Sequence, residues 1–182
     1  MYRQCTTEKT SIQQKQFETT LLAMMQEYAY SEISITELCK KAGLTRNIFY
    51  RLFDCKDDVL FFLIDNCFLE CSNTYRDANP QEKLIHFFEF WKSKKVILEA
   101  LNKNQLGVYL VTRGIPCCFL TDIGLQQFID TDLQEYNKEI ISFYLSGFVG
   151  LLFYWYNNNF HRSAEEMAEI AYQIVLKQPF KK

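Results

Sequence analysis

Arg46, Asn47, Tyr50, Arg51 and Lys56 stand close together in one short stretch of the chain. Arg carries paired donors and Asn a donor beside an acceptor, both of which match base edges, and Tyr and Arg also reach phosphate oxygens. Between Cys39 and Lys56 the basic residues Lys40, Lys41, Arg46, Arg51 and Lys56 face the single acid Asp54, a local net charge of +4 in a chain of net charge -2. Phosphate contacts dominate nucleic-acid affinity, so this local face outweighs the global sum. The chemistry it implies is recognition of double-stranded DNA.

The surrounding residues are of the types needed to hold such a face. Ile35 to Ala42 reads as a short helix capped by Thr36 or by Ser34, with Leu38 and Ala42 on one face. Gly43 permits the left-handed backbone that ends a helix and opens a tight turn. Leu44 is the apolar plug of that turn, and Thr45 caps a second helix running from Arg46 to Phe53. Ile48, Phe49, Leu52 and Phe53 point inward there, which leaves Arg46, Asn47, Tyr50 and Arg51 outside. Thr36 and Thr45 are further candidates for phosphate contact. Ahead of this helix-turn-helix, Ser11 to about Ala29 carries Phe17, Leu21, Met24, Met25 and Tyr28 at helical period. Residues 1–10 are polar and read as loose, with Lys9, Lys15 and the Thr6-Thr7 region within possible reach of a phosphate. Lys56-Asp57-Asp58 opens a fourth helix, its aspartates suited to the positive helix end.

The pattern Ile35-Thr36-x-x-x-Cys39-x-x-Ala42-Gly43-Leu44-Thr45-x-x-x-Phe49-Tyr50-x-x-Phe53-x-x-Lys56-x-x-x-Leu60 resembles the DNA-binding domain of the TetR family of bacterial regulators. The resemblance implies an all-α protein of about nine helices. A three-helix DNA-binding domain over residues 1–56 would be followed by an effector-binding and dimerisation domain over 57–182. It implies a homodimeric repressor on a palindromic operator, released by a small-molecule effector, with Thr36, Thr45, Arg46, Asn47, Tyr50, Arg51 and Lys56 toward DNA. The chain departs from the family in having Tyr28-Ala29-Tyr30 where a glycine usually follows the first helix, and Asn47 where a small residue is common.

Downstream, Val59 to about Tyr75 is apolar on several sides. Pro80 suits the first turn of a helix reaching Lys92. Ser93 to Asn102 and Asn104 to Gly114 follow, and Gly114-Ile115-Pro116 reads as a stop. Asp132 to Asn158 is the longest apolar helix. Ser163 with Glu166 forms a capping box for the last one. Phe87, Phe88, Trp91, Tyr109, Phe119 and Phe143 are candidates for the effector pocket, with Arg113 to meet an anionic group. The final two helices resemble the family's dimer-forming pair, which implicates Phe143, Gly147, Gly150, Leu151, Tyr154, Ile170 and Ile174.

Other classes find little support. His86 and His161 are the only histidines and sit among polar residues. No nucleophile–base set or phosphate-binding glycine loop is present, so no enzyme is expected. The seven cysteines form no CxxC pair and no zinc spacing, so neither metal nor cofactor is expected, and the thiols read as reduced and buried. No signal-like or unbroken apolar stretch of membrane length is seen, which places the protein in the cytoplasm, away from membranes. Two alternatives remain: a thiol-responsive regulator of the same fold, through Cys67/Cys71 or Cys117-Cys118, and an all-helical interaction module without DNA binding.

Overall fold

The computed structural model describes residues 2–3, 7–74, 78–121 and 137–176. Among these the chain is all-helical and contains no strand. The helices are α1 (Glu8–Glu27), α2 (Ile35–Ala42), α3 (Arg46–Leu52), α4 (Lys56–Thr74), α5 (Pro80–Ser93), α6 (Lys95–Lys103), α7 (Val108–Thr121), α8 (Asn137–Asn157) and α9 (Ala164–Leu176). A 3-10 turn, Tyr30–Glu32, joins α1 to α2.

α1 begins nearly one turn earlier than its apolar period suggests, because Thr7 and Thr10 form a reciprocal cap there. α1 packs on α2, α4 and α6, with Phe17, Leu21, Met24 and Met25 buried as a stripe along it. The Phe17 ring meets Phe49 edge-on at 5.3 Å and Phe53 at 6.0 Å. Tyr28 is left out of the stripe and is exposed, since the helix ends at Glu27. The missing glycine is explained at the same place. Tyr28 has φ -117° and Ala29 φ -64°, so the chain turns without a left-handed residue.

α4 links the head to the rest. Val59, Leu60, Leu63, Ile64, Cys67, Phe68 and Cys71 are all buried on it, between α1 on one side and α5 and α7 on the other. One continuous core therefore runs from the head into the C-terminal helices. Pro80 sits in the first turn of α5 behind an Asn79 cap, and Ser163 caps α9 with Glu166 in return, as the sequence predicts.

The expected stop at Gly114-Ile115-Pro116 does not occur. α7 runs through all three residues. An added Cβ on Gly114 would lie 2.6 Å from the Phe68 ring and 2.9 Å from Leu145, so this glycine lets α7 press between α4 and α8. Pro116 is exposed and lies inside the helix. Val96 on α6 is 53% exposed.

α8 buries Ile141, Leu145, Phe148, Val149, Leu152 and Trp155. By length and composition its Lys138–Asn157 stretch is apolar enough to cross a bilayer, because its serines and glycines carry no charge. Here it packs against α6, α7 and α9. Trp155 Nε1 donates to the Arg162 carbonyl at 3.0 Å and closes the α8–α9 hairpin.

Candidate nucleic-acid interface

Local chemistry sets the turn. Ser34, not Thr36, caps α2: the Glu37 N–H donates to Ser34 Oγ at 3.2 Å and the Ser34 N–H donates back to Glu37. The side-chain hydrogen bond from Ser34 holds the Glu37 carboxyl below its usual range. Thr36 lies inside the first turn of α2 and is exposed. Gly43 adopts φ 65°, and the Leu44 N–H donates to the Cys39 carbonyl at 3.0 Å. Leu44 is half-buried against the core, as a plug should be. Thr45 Oγ1 accepts from the Ile48 N–H at 3.3 Å and starts α3.

α3 then divides as its sequence requires. Phe49 and Leu52 are buried, with Phe53 behind them, and Thr45, Arg46, Asn47 and Tyr50 are exposed. The Arg46 guanidinium lies 5.7 Å from the Tyr50 ring centre. Lys40 and Lys41 are exposed on the neighbouring α2. Lys41 pairs with Glu27 at 3.0 Å and rests 4.7 Å above the Tyr28 ring.

Two members of the expected set are turned elsewhere. Arg51 donates to Gln13 Oε1 on α1 at 2.9 Å, which draws its guanidinium back against the head. Lys56 Nζ donates to the Tyr30 carbonyl and, at 2.7 Å, to the Ile33 carbonyl, with the Tyr30 ring 4.1 Å away. Burial pulls the Lys56 ammonium below its ordinary pKa. The ammonium therefore braces the 3-10 turn. Tyr30 is fixed from its other end as well, its hydroxyl donating to Asp57 Oδ1 and its N–H to Asn104 Oδ1 at the end of α6, both at 2.6 Å.

One residue had no motif to announce it. Residues 2 and 3 are built into the head instead of being loose. The Arg3 guanidinium donates to the Tyr50 and Arg51 carbonyls, and the Gln14 amide holds the Arg3 carbonyl at 2.8 Å. Lys15 is spent on the buried Glu18.

A family model described as the C-terminal region of transcriptional regulators, TetR_C_8, matches residues 78–177. The chain belongs to the TetR family of transcriptional regulators. The dhaKLM operon transcriptional activator DhaS of Lactococcus lactis is 25% identical over 116 residues, which is 62% of this chain and 57% of that relative's length. Among solved structures, a TetR transcriptional regulator from Streptococcus agalactiae 2603V superposes with a TM-score of 0.58 at 19% identity, covering 92% of this chain and 95% of that one. A dihydroxyacetone kinase operon activator DhaS gives 0.58 at 15% identity, covering 92% and 96%. At these identities the two structures speak to the fold alone.

In this TetR-family chain the expected pocket residues separate. Phe87, Phe88 and Trp91 are buried on α5, with Trp91 edge-on to Phe68 at 5.5 Å and Phe88 edge-on to Trp155 at 5.8 Å. The buried Trp91 Nε1 has no hydrogen-bond partner among the described residues. Tyr109 is half-buried with its ring 5.1 Å from Phe61. Arg113 pairs with Asp65, Nε to Oδ1 at 2.9 Å, and its guanidinium lies 5.0 Å from the Phe61 ring centre, so its charge already joins α7 to α4. Phe143 does not line the interior. It lies on the outer side of α8 and is 73% exposed. The side chains of Phe119, Cys117 and Cys118 fall outside the described residues.

Proposed function

We propose that this regulator is a homodimer that reads a roughly palindromic operator with α3 in the major groove. The observation that carries the reading is the exposed Thr45–Arg46–Asn47–Tyr50 face. It is set on a short helix by a left-handed glycine turn, with a buried aromatic floor of Phe49 and Phe53 beneath it. Thr36 and Thr45 add hydroxyls at the two helix starts. Arg51 and Lys56 join only if they leave Gln13 and the two turn carbonyls. Dimerisation is supported by an outer strip on α8 and α9. Phe143, Tyr154 and Ile174 are exposed there, Leu151 and Ile170 are half-buried, and an added Cβ on Gly147 or Gly150 meets open space. Apolar area of this kind, left in water on a single chain, is what a second copy would cover.

A small-molecule effector in the C-terminal half would act by binding the two head arrangements unequally. Trp91 Nε1, a buried donor without an acceptor among the described residues, supports an oxygen-bearing effector beside α5. The thiol-responsive alternative loses support at Cys67 and Cys71. Burial pushes both up to about 12, opposite to the low pKa of a sensor thiol.

In a gel mobility shift at two salt concentrations, the wild-type chain should select duplexes from a random pool with saturable, salt-sensitive binding. Light scattering should give twice the chain mass. A monomer that selects no duplex would sink this reading and favour an interaction module. We take the regulator as a repressor, so that a reporter placed behind its operator falls when the protein is expressed. A rising reporter would favour the activator role that the related DhaS carries in its name.

A further inference from the structure

A helix leaves its last four carbonyls without intrahelical donors, and a short helix is marginal without support from outside. α3 has only seven residues, Arg46–Leu52. Its final carbonyls can be accounted for one at a time. Phe49 O receives the Phe53 N–H at 2.8 Å. The next three are all taken by Arg3. Its Nη1 donates to Tyr50 O at 2.6 Å and to Arg51 O at 2.7 Å, and its backbone N–H donates to Leu52 O at 3.0 Å. Nη2 continues to Asp54 Oδ1 at 3.2 Å. The positive charge also stands where the helix dipole is negative. Arg3 is itself held in place. Gln14 Nε2 donates to its carbonyl, and the preceding Tyr2 lays its ring edge-on to Phe62 at 5.2 Å while its hydroxyl donates to Asp65 Oδ2 at 2.6 Å.

We propose that Arg3 is a positioning residue for DNA reading: it closes the C-terminal end of α3 from outside the helix and so sets the pitch at which Arg46, Asn47 and Tyr50 are presented. The proposal rests on the reading of α3 as the recognition helix. Base edges demand close donor–acceptor registration, whereas phosphate contacts tolerate small shifts. Loosening the end of α3 should therefore cost discrimination more than general affinity.

The test is the full chain with Arg3→Ala, any affinity tag being placed at the far end. It is compared with wild type on a duplex that wild type selects from a random pool and on a scrambled duplex of the same composition, at two salt concentrations. Affinity for the selected duplex should fall about tenfold, the size of one weakened base contact, with little change on the scrambled duplex and the same salt slope. Hydrogen exchange without DNA should quicken at residues 50–54 and stay unchanged in α1 and α4. Equal loss on both duplexes, with the slope reduced by about one, would make Arg3 a phosphate contact and overturn the proposal. Faster exchange throughout the head would make it a general support of the fold and overturn it too, as would no change in either measurement. Arg3→Lys keeps the charge but bridges fewer carbonyls, and should discriminate between wild type and Arg3→Ala; a lysine variant equal to wild type would remove the bridging role. If wild type selects no duplex, the recognition reading of α3 fails, and the exchange pattern alone decides whether Arg3 holds this helix.

Discussion

Asn47 and Tyr50 are both exposed on α3, yet their chemistry predicts different failures. Asn47→Ala should change which sequences are preferred, because an amide reads a base edge, at a cost of about 1–3 kcal/mol on the preferred duplex. Tyr50→Ala should weaken selected and scrambled duplexes alike; parallel binding curves on the two would check it. Cys67, Cys71 and Tyr30 predict a pH effect. Burial raises all three above their ordinary values, to about 12 for each thiol from 9.0. The unfolded chain then releases these protons first, so stability is fully present below about pH 9 and falls as the pH rises toward the folded values. Thermal melts between about pH 8 and 11 should show a falling midpoint, with a shallower fall after Cys67→Ala. At this scale the exposed face of α3 was readable from the sequence because a glycine, a cap and two aromatics act within a few residues. Arg3 and Lys56 were not. Their acceptors are backbone carbonyls at positions 50 and 51 for the one and 30 and 33 for the other, and any residue type supplies a carbonyl.

The helices themselves were legible where apolar period and caps agree, as at Asn79-Pro80 and Ser163–Glu166. α7 is not legible because glycine and proline punctuate most chains, whereas here close packing on both sides carries the helix through them. Two glycine substitutions separate the local meanings. Gly114→Ala must displace Phe68 and Leu145, and should cost about 1–3 kcal/mol in chemical denaturation. Gly147→Ala has open space at its Cβ, so the isolated subunit should keep or gain up to about 1 kcal/mol from helix propensity. For the proposed dimer its effect should appear instead in the concentration dependence of the mass, since a methyl group there would hold a second copy's helix away.

The proposed boundary at residue 56 marks a change of role more than a seam in the fold. Residues 1–56 alone would lose Val59, Leu60, Leu63 and Ile64, which close the core beneath the head. They would also lose the Asp58 carboxylate that receives the Asp54 and Cys55 N–H groups. That fragment should show little cooperative melting by circular dichroism, and an extension through α4 should restore part of it. A stable, two-state 1–56 fragment would refute this. The C-terminal half holds the head by a second, polar route. Lys103 Nζ donates to the Gln26 carbonyl at 2.7 Å, Gln26 Nε2 donates to the Val96 carbonyl at 3.0 Å, and Asn104 receives the Tyr30 N–H. The hydrogen bonds that hold the Tyr30 turn come from both sides of the proposed boundary, from Lys56 before it and from Asp57 and Asn104 after it. The head of this chain, grafted onto the C-terminal half of a relative, brings its own Tyr30 turn and Lys56 but leaves Asn104 behind. Grafts that also import the end of α6 should keep their folding, whereas those cut cleanly at the boundary keep the Lys56 brace but lose the Asn104 acceptor of the Tyr30 N–H, and should melt earlier.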